Sequence, residues 1–129
     1  MKNLIKFAVV SIAFVLPAVS IACEYPERPD LPDGGTAAKD DMIAAQKAVK
    51  EFLANVDGYL MCIEKEEKAA VDAMDLDSEN EEDQETLKRR DELLTKRFDA
   101  ANEEKFMLGE QWNQQVRAYN AARQAANSE

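Results

Sequence analysis

Histidine is absent from the 129-residue chain, and glycine, proline, cysteine and tryptophan are sparse at four, four, two and one. Without histidine the side chain that most often serves as general base or zinc ligand near neutral pH is missing. The four glycines form no G-x-x-x-x-G-K or G-x-G-x-x-G spacing, so no phosphate-cradling loop is encoded. Beyond residue 22 the serines are Ser78 and Ser128 alone, and neither has an imidazole to activate it as a nucleophile. Positive charge is short as well: 16 Lys and Arg stand against 26 Asp and Glu, for a formal net charge of −10. A surface of that sign repels nucleic-acid phosphates and anionic headgroups. The expectations are therefore one small domain, no enzyme, no cofactor, no metal site, no nucleic-acid partner, and no membrane contact beyond export.

What is present begins with an address. Met1 to Lys6 is short and basic, Phe7 to Leu16 is apolar with a single Ser, Pro17 interrupts it, and Ser20-Ile21-Ala22 places small residues where a signal peptidase reads them. Cleavage is expected after Ala22, delivering the chain to the periplasm. The apolar stretch is shorter than the roughly 20 residues of a spanning helix and lacks a basic stop-transfer flank. Removing Lys2 and Lys6 with the leader takes the net charge to −12. Ser20 stands where lipoprotein processing takes Leu or a similar residue, which argues against a lipid anchor at Cys23.

Three parts follow. Residues 23–35 form an arm with Pro26, Pro29 and Pro32 at intervals of three, closed by the turn signature Asp33-Gly34-Gly35. In polyproline II three residues make a turn, so these prolines align on one edge. Thr36 is then expected as an N-cap, with Asp40 and Asp41 in the favourable first turn of a helix over about 37–74. Its apolar positions run Met42, Ala45, Val49, Phe52, Val56, Tyr59, Ile63, then Glu66, Ala70 and Ala73, in alternating steps of three and four. Leu53, Leu60 and Met74 widen this stripe on one flank. Gly58 weakens the helix locally by about 1 kcal/mol relative to Ala.

Eight acids crowd positions 72–85, and Ser78-Glu79-Asn80-Glu81 matches a capping box. A hairpin tip is expected around Asp75 to Ser78. The spacing Asp75-x-Asp77-x-Glu79 fails as a calcium loop, since position six is Asn80 where glycine belongs and position twelve is Thr86 where a bidentate Glu belongs. A second helix over about 79–126 carries Leu87, Leu94, Phe98, Ala101, Leu108, Trp112 and Tyr119 on one seam, with Asp91, Lys105 and Gln115 as polar interruptions. Residues 127–129 are a frayed tail. The fold class is all-α: a long antiparallel, coiled-coil-like helical hairpin with the extended Pro-rich arm packed along it. In that register Met42 sits near Trp112, and Glu66 near Lys88 and Arg90. Glu64 with Lys68, Glu85 with Arg89 and Glu92 with Lys96 are correctly ordered i,i+4 pairs.

Two cysteines in an oxidising compartment point to one disulfide, and the geometry tests it. Cys62 lies roughly 38 Å into the first helix, while the thirteen steps from Cys23 to Thr36 span about 40 Å as polyproline II. The lengths match, so the arm is expected to fold back at Asp33-Gly34-Gly35 and be pinned by Cys23 to Cys62. A disulfide between two chains is the other pairing the two cysteines allow.

The most distinctive stretch is Trp112-Asn113-Gln114-Gln115-Val116-Arg117-Ala118-Tyr119-Asn120. On a helix Trp112, Val116 and Tyr119 share one face, with Arg117 on a neighbouring polar one. Aromatic rings commonly dock polyproline edges. This face either holds the arm near Leu31 and Pro32 or is an exposed contact for a partner, in which Trp112, Val116, Arg117 and Tyr119 are the candidate interaction residues.

The arm, Tyr59-Leu60-Met61-Cys62 and the ending Trp112 to Tyr119 together resemble a group of small uncharacterised exported bacterial proteins. That group shares an early cysteine, a Pro-rich arm, Tyr-Leu-x-Cys in the first helix and an aromatic-Asn-x-Gln-Val-Arg-x-Tyr ending. The resemblance implies export and a disulfide and brings no activity with it. Two functions remain. One is a non-catalytic periplasmic interaction or structural protein, binding another protein or a second copy through a helical face. The other is a ligand-binding or inhibitor-like module using Trp112, Arg117 and Tyr119.

Overall fold

The computed structural model describes residues 23–77 and 79–128. The leader with its expected cleavage after Ala22 lies outside the described residues, as does Ser78. Two helices, α1 (Lys39–Asp72) and α2 (Glu81–Ala126), form an antiparallel hairpin, and no strand occurs among the described residues. Their 34 and 46 residues correspond to lengths of about 51 and 69 Å. Both run without a break through their internal glycines, Gly58 and Gly109.

The helix starts differ from those the sequence suggests. Thr36 does not cap α1, because the preceding turn captures it. Its hydroxyl donates to Asp33, whose carbonyl also accepts from the amides of Thr36 and Ala37 at 3.1 and 2.8 Å. The N-cap position falls on Ala38, which supplies no side-chain bond. At α2 the cap is Asn80, whose side-chain oxygen accepts from the amides of Glu82 and Asp83 at 2.9 and 3.3 Å. Asp77 supports the turn by accepting from Glu79 N–H at 2.9 Å. The acidic first turn, Glu81 to Asp83, then faces the positive end of the helix dipole.

The seam of α1 follows the expected steps from Met42 to Val56 and then shifts. Leu60 is buried and Tyr59 only half-buried, so the stripe reads Val56, Leu60, Ile63. A straight helix drifts by about 20° per heptad against a 3.5-residue repeat, and the four-residue step to Leu60 absorbs that drift. The consequence is electrostatic. Glu66 is exposed, and Glu67 instead receives Arg90 through two bonds of 2.7 and 2.9 Å. On α2 the buried pair is Ala101 and Leu108, with Leu94, Phe98 and Trp112 packed around them. Lys105 remains on this side because its ammonium pairs with Asp57 of α1. Among the surface pairs, Arg89 meets Glu85 at 3.1 Å as expected, whereas Lys68 turns to Asp72 at 3.0 Å and not to Glu64, and Glu92 and Lys96 do not form the expected pair.

Two helices alone enclose little, and the arm supplies a third layer. Cys23 and Cys62 are joined within the chain, their Cα atoms 5.8 Å apart and 39 residues apart in sequence. The chain-entropy model values closing such a loop at about 4 kcal/mol. From that staple the arm runs back along the hairpin. Tyr25 sets its ring edge-on to Phe52 and Tyr59, at centroid distances of 6.3 and 5.0 Å. Leu31 packs against the core cluster, and Arg28 bridges to Glu104 and Gln111 of α2.

Candidate functional site

The hairpin has two long grooves, one on each side of the plane of its helices, and the arm fills part of only one. Its docking is specified at the turn. Gly34 N–H donates to the side-chain oxygen of Gln115 at 2.8 Å, so the polar interruption on the α2 seam is the receptor for the arm. Gly34 is buried, and a Cβ there would lie 1.9 Å from the Gln115 carbonyl oxygen. Backbone meets backbone at a distance no other residue permits. Further along, Pro32 shares a shallow hollow with Ala44, Ala45 and Ala48 of α1, a low shelf on which the extended chain lies.

The sequence leaves two roles open for the aromatic face, a seat for the arm near Leu31 and Pro32 or an exposed contact, and the turn at Gly34 does approach the backbone of this stretch at Gln115 and Tyr119. Trp112, Val116 and Tyr119 do come together, as their helical spacing requires, but in a different hollow. They line it with Lys39, Met42, Ile43 and Gln46 of α1, enclosing about 230 Å³. Met42 thus meets Trp112 as the register expects. Trp112 reaches back to the core cluster, while Ile43 on the rim is 55% exposed. Arg117 is exposed and does not line this hollow. The cation at its aromatic ring is Arg123, 5.0 Å from the centroid of Tyr119.

The polar contacts of the arm were invisible as motifs. Arg28 is the single cation between residues 23 and 35, and its lone sign in an acidic arm was the one signal that it seeks a carboxylate. The Tyr25 hydroxyl is pushed above its ordinary value of about 10, first by burial, then by the neighbouring Glu104 and Tyr59, with Arg28 opposing. Arg97 donates to the Tyr59 hydroxyl at 3.2 Å and lies 5.6 Å from that ring's centroid, tying α2 to α1 beside the staple.

Among the described residues no group of three or more Cys, Asp or Glu side chains is arranged to hold a metal ion. None of the described helices is long and apolar enough to cross a membrane. Comparison with protein families, curated proteins and solved structures finds no match for this chain. The site is therefore read from its own chemistry: a clamped groove on one side, and an open apolar hollow with an aromatic wall on the other.

Proposed function

We propose that the protein is a non-catalytic interaction protein of the periplasm that docks a protein partner, or a second copy of itself, on the helical face opposite the arm. The observation that carries this reading is the open hollow of Ile43, Trp112, Val116 and Tyr119, left uncovered while the arm is stapled into the other groove. Trp and Tyr anchors beside an exposed aliphatic rim are the composition of protein-binding hot spots. The disulfide and the leader pattern support an oxidising, exported setting. A small-ligand reading has less behind it. The hollow is below the roughly 300–1,000 Å³ of ligand sites, and Arg117, the group meant to fix a ligand, stands outside it.

The test compares the oxidised chain from Cys23 onward with Ile43→Glu and Val116→Glu variants. Sedimentation velocity reads self-association, and cross-linked capture from envelope extract reads a partner. We expect a concentration-dependent dimer or one saturable cross-linked species in the native chain, lost in both variants. A native chain that stays monomeric and yields the same captured species as the variants sinks the proposal.

A further inference from the structure

The groove that holds the arm extends past Cys23 toward the hairpin tip. The described part of the arm begins at Cys23, beside Cys62, and the same side of the hairpin continues toward the tip as a second hollow of about 480 Å³. Its floor and outer wall are Leu93, Leu94 and Ala100, and Leu93 is 56% exposed. Arg97 and Ala100 line both this hollow and the smaller one beside Tyr25, so the two are continuous with the seat of the arm.

From these observations we infer that the free stretch of groove, Arg90 to Ala100 of α2 opposite Glu67 of α1, binds an extended acidic-aliphatic peptide segment of a partner. The arm itself shows what the groove accepts: an extended chain that turns apolar side chains, Tyr25 and Leu31, onto the helices and reaches polar groups of α2 with the rest. Charge sets the difference between the two halves. Where the arm lies, the groove offers Glu104 and the arm brings Arg28. In the free half the sign is reversed. Arg90 is already neutralised by Glu67, but Arg97 donates to the uncharged Tyr59 hydroxyl, and among the described residues neither Arg97 nor Lys96 is in an ion pair. Two cations thus line this hollow beside aliphatic side chains on a molecule whose net charge is strongly negative, which favours carboxylates there. The ten steps from Arg90 to Ala100 span about 15 Å, enough for about five residues of extended chain at ~3.1 Å each.

This site is separate from the hollow of Trp112 and Tyr119, so its test stands apart from the one above. The probe is the acetylated, amidated pentapeptide Leu-Asp-Leu-Asp-Leu, with Leu-Lys-Leu-Lys-Leu and decanoate as the other arms, titrated into the oxidised chain from Cys23 onward. Amide chemical shifts of Leu93, Leu94, Arg97 and Ala100 are followed by NMR. The expected result is saturable shifts at these residues with the acidic peptide alone. Lys96→Glu, on an exposed side chain, and Arg97→Gln should each weaken binding about tenfold, the effect of one charge-assisted hydrogen bond, while Ile43→Glu leaves it unchanged. Equal binding of the basic peptide, no loss in Lys96→Glu, or no shifts at all overturns the proposal. Displacement of the peptide by decanoate at lower concentration than the peptide itself requires also overturns it, and gives the groove to a fatty carboxylate.

Discussion

At Gly34 a missing side chain holds two elements together. A methyl group there would overlap the Gln115 carbonyl, so Gly34→Ala must lift the turn off α2 and leave a buried amide without its acceptor. The expected cost is about 1–3 kcal/mol, combining overpacking with an unmade hydrogen bond, read as a lower midpoint in chemical denaturation. Gly35→Ala is the control with the smaller loss, because its Cβ would approach only the Asp33 carboxylate, at 3.3 Å. Asp33-Gly34-Gly35 is legible in the sequence as a turn. Which glycine is indispensable is not, since the constraint comes from a residue 81 positions away. The same distance hides the role of Gln115, which periodicity marks only as a polar fault on an apolar seam.

Elements were easier to read than their edges. The three-four spacing from Met42 to Val56 reports the core face of α1 directly, because a helix buries whatever repeats at its own period. One residue of drift beyond Val56 then moves the burial from Tyr59 to Leu60 and the ion pair from Glu66 to Glu67, a shift too small for periodicity to resolve and large enough to exchange partners. Helix starts were misplaced for a different reason. Near each helix start more than one side chain can bond the free amides or each other, Asp33 with Thr36 before α1 and Asp77 with Asn80 before α2, and local competition decides among them. The structure gives the α2 cap to Asn80, so Asn80→Ala is expected to cost about 1 kcal/mol. The check is a lower thermal midpoint for Asn80→Ala beside an unchanged one for Glu79→Ala, whose side chain makes no cap bond. The arm was the clearest case: its fixed rise per residue made its reach calculable, and Cys62 lies within that reach.

For the whole molecule the staple is what makes a body of two rods and a strap. Without it the arm retains Tyr25, Leu31 and the Gly34 contact, but the chain it must order is longer by the full loop. Cys62→Ser is therefore expected to lose about 4 kcal/mol in the loop-entropy account. The native chain treated with reductant should fall by the same amount, and the variant should be insensitive to reductant. Equal denaturation midpoints for oxidised and reduced native protein would contradict this. The acidic balance acts at the same scale. At −10 for the full chain, copies repel one another at low salt, so any self-association through the Ile43 hollow should strengthen as salt is added.

The buried side chains are not spread along the hairpin. They lie between Met42 and Ile63 on α1 and at Ala101 and Leu108 on α2, all within the span the arm covers or flanks. Past Ile63 the rods continue toward the tip with half-buried contacts only. The protein is thus a firm handle carrying a slender tip, and local opening is expected to cost least at that tip.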